Sequence, residues 1–472
     1  MFATSTRAFS SSKAASAAAK AVAMTSPYPG VAATGVAAAK IGAPEVTKLA
    51  NGVTVVSVET SGPGLTVAAY TGAGSRFEDA HTAGASHFLR RLAWNSGTTG
   101  ASGFRLTRTS ELDGAQIHAS SSREHFAVTV DTHTEGLGKA LAAVANVVAG
   151  PAFQPWEVND AAPFVELDLL EAQADPTNLV VEQAHRLAYR TGLGQPVLAT
   201  ENQIHHLNQS TIRSFVERHA TPSRTTIVAV GAKHADVVAL AQTTLGSWSA
   251  VAGSAAAVQS SPSVYRGNAE HRAEVTGASL TYAALVHQGA SATNAGEFYA
   301  QAVARQILGT GPNVKYGGSA GRLHQAISKA GLKSPAAASA ISASYSDAGL
   351  FGVYVVSAPG AAFGAISAAA RELKRLSSEP VSAAELTRAK ALAKAAFADA
   401  VESRHGLVED LGRQSLAFGG KVVPLSQVLA GVDAVDAESA SKFFKTALKT
   451  APAYAVAGDI STAPWLDELT KA

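Results

Sequence analysis

The 472-residue chain reads as an α+β protein built from two homologous halves, each a mixed β-sheet packed with helices. Three observations lead to that reading. The chain is longer than one hydrophobic core usually fills. Short runs rich in β-branched residues alternate with alanine-rich helical stretches. Segments of the first half then recur, in order, in the second.

Gly52-Val53-Thr54-Val55-Val56-Ser57-Val58 and Leu65-Thr66-Val67-Ala68-Ala69-Tyr70 predict strands on either side of the turn Ser61-Gly62-Pro63-Gly64. Ala83 to Trp94 predicts a helix, Phe126 to Val130 a strand and Leu137 to Val148 a further helix. A longer helix runs from Trp156 to Ala174, where Asp175-Pro176 stops it. In the second half, Leu280-Thr281-Tyr282-Ala283-Ala284 repeats the segment at Leu65, Phe351 to Val355 repeats the one at Phe126, and Ala384-Glu385-Leu386 repeats Trp156-Glu157-Val158. The offsets are 215, 225 and 228 residues, rising along the chain as a duplication with insertions requires. The domains expected are therefore 45–249 and 264–472, joined by the Ala/Ser/Gly-rich linker 250–263.

Residues 1–44 contain no Asp or Glu, while Arg7, Lys13, Lys20 and Lys40 sit among Ala and Ser. Basic, Ser/Ala-rich and acid-free is the composition of a mitochondrial transit peptide, the alternative being a low-complexity tail. Arg7-Ala8-Phe9-Ser10 resembles a matrix-peptidase cleavage site, and the cut position stays open. Composition bounds the rest. A formal net charge of +2 with no basic stripe gives no reason to expect nucleic-acid binding. Cysteine is absent, which removes disulfides, thiolate metal sites and a cysteine nucleophile. No apolar run approaches the ~20 residues of a membrane helix; the best, Ala140 to Ala149, is interrupted by Asn146.

The segment Gly84-Ala85-Ser86-His87-Phe88-Leu89-Arg90-Arg91-Leu92 carries the chemistry of interest. Inverted zinc peptidases place His-x-x-Glu-His here, two histidines one helical turn apart binding zinc and the Glu activating water. The first His is present as His87, but Arg90 takes the Glu position and Arg91 that of the second His. Guanidinium groups do not deprotonate, so Arg90 supplies no general base and both side chains repel a divalent cation. A third ligand in such peptidases is a Glu about 76 residues beyond the second His; with 76 residues between, Arg91 leads to Asp168, in the Trp156–Ala174 helix. Glu166 is two residues out of that register. Asp175-Pro176 running on to His185 and Tyr189 resembles a further part of the pattern, Asn followed ten residues later by His-x-x-x-Tyr. His205-His206 are adjacent, so they point apart and make no ligand pair.

On these residues the chain after Pro44 resembles the pitrilysin/insulinase family, and within it the processing-peptidase and respiratory core-subunit branch. The resemblance implies the processing peptidase/insulinase-like fold and zinc-site positions His87, Arg90, Arg91 and Asp168 that are degenerate, hence no metal, no cofactor and no catalytic residue. Gly309, Gly311, Gly317, Gly318 and Gly321 form a glycine-rich stretch that lacks the Gly-Lys-Ser/Thr ending of a phosphate loop; it resembles the glycine-rich loop of the family's non-catalytic subunits. Gly97-Thr98-Thr99-Gly100 on to Arg108, Gly114 through Arg123-Glu124, and Pro464-Trp465-Leu466-Asp467-Glu468-Leu469 resemble the respiratory branch. That branch implies a matrix-facing subunit, peripheral to the inner membrane, in a dimeric complex with a first core subunit, cytochrome b, cytochrome c1 and an iron–sulfur protein. The other branch implies an alpha-type subunit of a processing peptidase, soluble, binding basic presequences in an acidic cavity.

Overall fold

A computed structural model describes residues 42–250, 262–311 and 321–471. Nearly all of the acid-free leader, most of the linker, and Gly317 and Gly318 lie outside the described residues.

The first half runs β1 (Glu45–Lys48), β2 (Thr54–Val58), β3 (Gly64–Thr71), α1 (Ala85–Leu92), α2 (Gly103–Leu112), β4 (Gln116–Ser121), β5 (Phe126–His133), α3 (Leu137–Ala149), α4 (Pro155–Ala174), α5 (Pro176–Tyr189), α6 (Glu201–His206), α7 (Gln209–His219), β6 (Thr225–Val230) and α8 (His234–Leu245). The second runs β7 (Ala269–Glu274), β8 (Thr281–Gly289), α9 (Ala295–Leu308), α10 (Arg322–Lys329), β9 (Ala336–Ser344), β10 (Gly349–Ser357), α11 (Ala362–Leu376), α12 (Ala383–Ala400), α13 (Arg404–Ala417), α14 (Leu425–Asp433), α15 (Ala437–Ala447), β11 (Ala453–Gly458) and α16 (Leu466–Lys471). The strands and helices predicted in the first half all form, with no end shifted by more than three residues.

The sheets share one topology. The first is ordered β1-β2-β6-β3-β5-β4 and the second β7-β11-β8-β10-β9. In each, one parallel pair (β2/β6, β7/β11) borders an antiparallel run. The duplication is therefore visible in three dimensions, with β1 as an addition. One register differs from the sequence reading. Val67 pairs with Val130, and Ala283 pairs with Val355. With Phe126 matched to Phe351, Val67 corresponds to Ala283 and Leu65 to Thr281, one residue from the match at Leu280. A slip of one residue turns every side chain to the other face. Only the corrected register puts Val67 and Ala69, and likewise Ala283 and Leu285, in the core under each half's own helices. The third match holds as read. Glu157 caps the start of α4 by accepting from the Gln154 N–H at 2.9 Å, and Glu385 caps α12 by accepting from the Ser382 N–H at 3.1 Å.

The packing of α5 and α13 ties the halves together. α5 belongs in sequence to the first half, yet Val180, Ala184 and Ala188 pack on Ala284, Ala455 and Ala457 of the second sheet. α13 does the converse: Val408 and Leu411 pack on Val56, Tyr70 and Val228 of the first sheet. Each sheet thus buries its second face under a helix lent by the other half. Alanine on β8 and β11 brings α5 close, and Gly412 does the same for α13, since a Cβ there would lie 2.3 Å from the Tyr70 ring. Among the described residues no helix is long and apolar enough to cross a membrane.

Candidate functional site

α1 starts at Gly84, whose φ of 91° places it in the left-handed region that glycine tolerates. The buried Glu78 carboxylate accepts from the Gly84 and Ser86 N–H groups, both at 2.8 Å, and caps the helix. Burial pushes this carboxyl up to about 7, against the pull of those hydrogen bonds. The cap holds α1 with His87 and Arg91 on one face, towards α4. α4 turns Ala161, Val165 and Asp168 inward, so Asp168 meets the α1 face.

The four sequence-predicted positions come together in one cluster. His87 is fully buried and Asp168 is 8% exposed. Asp168 Oδ2 lies 2.9 Å from His87 Nε2, 2.6 Å from Arg90 Nη2 and 2.6 Å from Arg91 Nε. Its other oxygen accepts from Arg91 Nη2. The Ala199 N–H donates to His87 Nδ1 at 3.2 Å, so a neutral His87 carries its proton on Nε2 and donates it to Asp168. Arg90 Nη2, 3.2 Å from that same Nε2, therefore makes a contact there and not a second hydrogen bond. Burial pushes His87 down to about 4, opposed by Asp168 and reinforced by Arg90. Burial also raises the Asp168 carboxyl, but hydrogen bonds from Arg91, His87 and Arg90 outweigh it and hold the group well below the usual carboxylate range.

This geometry does not fit zinc. A carboxylate offers about four lone-pair sites, and the two arginines and His87 occupy them. His87 presents a proton where a ligand needs a lone pair. Among the described residues no group of three or more His, Cys, Asp or Glu is placed to hold a metal ion. Arg90 and Arg91 are ion-pair partners of Asp168 instead. Glu166 offers no substitute: its side chain is 45% exposed and its nearest basic neighbour is the exposed His205, at 4.0 Å. His206 is exposed as well.

His185 and Tyr189 serve the junction between the halves. His185 donates from Nδ1 to the Val181 carbonyl at 2.8 Å and accepts at Nε2 from the Tyr345 hydroxyl, also at 2.8 Å. Tyr189 donates to the Gly349 carbonyl at 2.6 Å. Of the glycine-rich stretch, Gly309 and Gly311 take φ of 109° and 121°, the left-handed region, and a Cβ on Gly309 would touch Gly321 at 3.4 Å. The two ends of the stretch are thus drawn together.

Sequence reasoning assigned no role to the ionic junction beside these groups. Buried Arg76 donates to Glu124 at 2.7 Å and to Asp347 at 2.8 Å, while the Ser346 N–H donates to Glu124 at 3.0 Å. Arg123, also buried, donates to Glu182 at 2.7 Å and to the Leu193 carbonyl at 3.1 Å. Arg123 and Glu124 stand in a segment that the resemblance singled out, but Asp347 is 271 residues from Arg76 and no spacing links them. Above the junction a cavity of about 1350 Å³ opens between the halves. Among the described residues its charged lining is Lys48, Arg224, Arg305, Arg413 and Lys421 against Glu124 and Asp410, a basic balance.

Comparison with known proteins follows this geometry closely. Residues 54–201 match the family model described as insulinase (peptidase family M16), and residues 206–393 match the peptidase M16 inactive domain. The chain is 35% identical over 442 residues to the human mitochondrial cytochrome b-c1 complex subunit 2, covering 92% of this chain and 94% of that protein. It is 28% identical over 429 residues to a probable alpha-1 subunit of the mitochondrial processing peptidase of Arabidopsis thaliana, covering 90% and 84%. A chain of the Candida albicans complex III2 structure with Inz-5 bound superposes with a TM-score of 0.78 at 20% identity, covering 90% of this chain and 99% of that one.

Proposed function

The chain belongs to the insulinase (peptidase M16) family, and from that premise we propose that it is a non-catalytic core subunit of respiratory complex III, the ubiquinol–cytochrome c reductase. The observation that carries this reading is an intact two-half peptidase fold whose zinc position is filled by Arg90 and Arg91 bonded to Asp168. The fold is kept while the hydrolytic centre is converted to an ion cluster, as a subunit kept for assembly requires. The chain then contributes surfaces, and the redox chemistry belongs to cytochrome b, cytochrome c1 and the iron–sulfur protein. A first core subunit is the direct partner, within a complex that is itself dimeric. The chain is peripheral, on the matrix side of the mitochondrial inner membrane, and residues 1–44 hold its transit peptide, with the cleavage point open, and an N-terminal extension.

The surface supports an assembled role. α4 carries Trp156, Phe164, Leu167 and Leu170 exposed along its outward side, and α2 exposes Phe104 and Leu112. Large apolar side chains grouped in this way mark covered interfaces. The second reading, an alpha-type subunit binding basic presequences, is supported by the 28% identity to such a subunit. The basic lining of the inter-half cavity counts against it, because a cationic peptide meets like charge there.

The test is to tag the chain, extract mitochondria in mild detergent and record its native mass together with a reduced-minus-oxidised haem spectrum. The core-subunit reading expects a large complex with b- and c-type haem absorbance. A soluble, haem-free heterodimer would establish the processing-peptidase reading instead.

A further inference from the structure

The cavity between the halves has no part in the structural role proposed above, yet its lining combines an aromatic cluster with a basic excess. The second half contributes Phe298 and Tyr299 of α9, Ala393 and Phe397 of α12, and Val428 of α14, with Gln301, Arg305 and Gln306 of α9 beside them. The Phe298 ring lies 5.5 Å from Tyr299 and 6.0 Å from Phe397, centroid to centroid, so the aromatic groups form one cluster. The first sheet and its borrowed helix contribute basic groups, Arg224 just before β6, Arg413 of α13 and Lys421 beyond it, among apolar residues such as Leu416 and Phe418. Arg224 is held in place, its guanidinium 4.3 Å over the Phe77 ring and bonded to the Gly72 carbonyl.

Of the basic groups, Arg413 pairs with Glu409 at 3.6 Å with both side chains half exposed, and the two acidic lining residues have other partners. Glu124 is engaged by Arg76 and Ser346, and Asp410 accepts from Gln414 Nε2 at 2.8 Å. No carboxylate among the described residues pairs with Lys421, nor with Arg305 and Lys48, which also line the cavity. Burial pushes Arg224 down to about 10. The volume of about 1350 Å³ exceeds the ~300–1,000 Å³ typical of small-ligand pockets and leaves room for a chain-like ligand.

We propose that this cavity binds an anionic amphiphile, a carboxylate or phosphate headgroup carrying an acyl chain. The chain lies on the aromatic cluster and the headgroup meets Arg224, Arg413 and Lys421. Two features of the lining exclude the mirror-image ligand: a cationic amphiphile is repelled by the basic excess, and a uniformly polar anion leaves the aromatic cluster wet.

The probe is cis-parinaric acid, whose fluorescence rises in an apolar site, titrated into the purified full-length chain. Saturable binding near one per chain is expected, with oleate displacing the probe at least tenfold better than oleyl alcohol. Displacement by dioleoyl phosphatidylglycerol vesicles, but not by phosphatidylcholine vesicles, would assign the headgroup to a phospholipid; displacement by oleate alone would assign it to a free fatty acid. The charge-reversed variant R413E/K421E is expected to bind at least tenfold more weakly, and A396W, which fills the chamber from α12, to lose binding. K445E, an exposed position outside the cavity, serves as the control and should bind as the parent does. The proposal is overturned if parinarate fails to saturate, if oleyl alcohol competes as well as oleate, or if A396W binds unchanged. The alcohol competition uses the unmodified chain, so it decides the matter even if a variant misfolds.

Discussion

Replacing Asp168 by alanine removes the acceptor around which His87, Arg90 and Arg91 are organised. Four donor atoms face that carboxylate, three from Arg90 and Arg91 and one from His87. The arginine share of the loss is small, because Arg90 and Arg91 are 28% and 36% exposed and their guanidinium groups turn to water; about 1 kcal/mol covers it, as for other surface pairs. The histidine share is larger. His87 is fully buried and its Nδ1 already accepts from Ala199, so its Nε2 proton is left without an acceptor, at a cost of about 1–3 kcal/mol. The expected destabilisation of D168A is therefore about 3 kcal/mol, with D168N near half of that since an amide oxygen still accepts. Urea titration of the purified chain followed by circular dichroism measures it. R91A should cost under about 1 kcal/mol in the same assay. Were R91A to cost as much as D168A, or D168A to cost nothing measurable, the assignment of His87 as the dominant dependent group would fail.

Four further outcomes follow from the geometry. Burial lowers His87 and His219 to about 4 and His125 and His185 to about 3; the unfolded chain binds protons at these four sites first, near pH 6.5, so their contribution is full above that pH and falls as pH drops towards 4, opposed in part by the single raised Glu78, which favours the folded state as pH falls through about 7. A urea midpoint that stays flat between pH 6.5 and 4.5 contradicts this; the lowered Asp168 titrates below that window and contributes no slope in it. R76A leaves Glu124 and Asp347 facing each other across the half-junction without their shared cation, costing about 2–4 kcal/mol after allowing for their partial exposure, with faster proteolysis between the halves as the readout. G412A drives a methyl into the Tyr70 ring and should cost about 1–3 kcal/mol by lifting α13 off the first sheet, seen as faster hydrogen exchange in both elements. Finally, R90E/R91H/D168E rebuilds a three-ligand set on an unchanged backbone and should bind zinc stoichiometrically by atomic absorption, while the parent chain retains none after dialysis; zinc held equally by both would mean that the metal sits elsewhere.

The loss of peptidase chemistry was legible from three letters. His87, Arg90 and Arg91 share a helix turn, and no fold can make a guanidinium accept a proton or ligate zinc. Asp168 followed from counting alone, because both helices keep the family's spacing. The strands and helices were legible for the same local reason: their periodicity and end signals, such as Glu157 and Glu385 at matched N-terminal positions, act within a few residues. Register was harder. Leu-Thr-x-Ala-Ala looks alike at 65 and 280, yet only the pairing of Val67 with Val130 and of Ala283 with Val355 reveals the one-residue slip.

The sequence by itself determined the class of fold, the duplication and the residues His87, Arg90, Arg91 and Asp168 that the structure brings together, because each rests on residue type and spacing. Only the tertiary structure decided that α5 and α13 trade places between the halves, that Arg76 bridges Glu124 to Asp347, and that an aromatic cluster and several basic groups line one cavity. Those contacts join residues hundreds of positions apart. Each sheet has a second apolar face to bury, and which helix covers it is a matter of packing that no local pattern encodes.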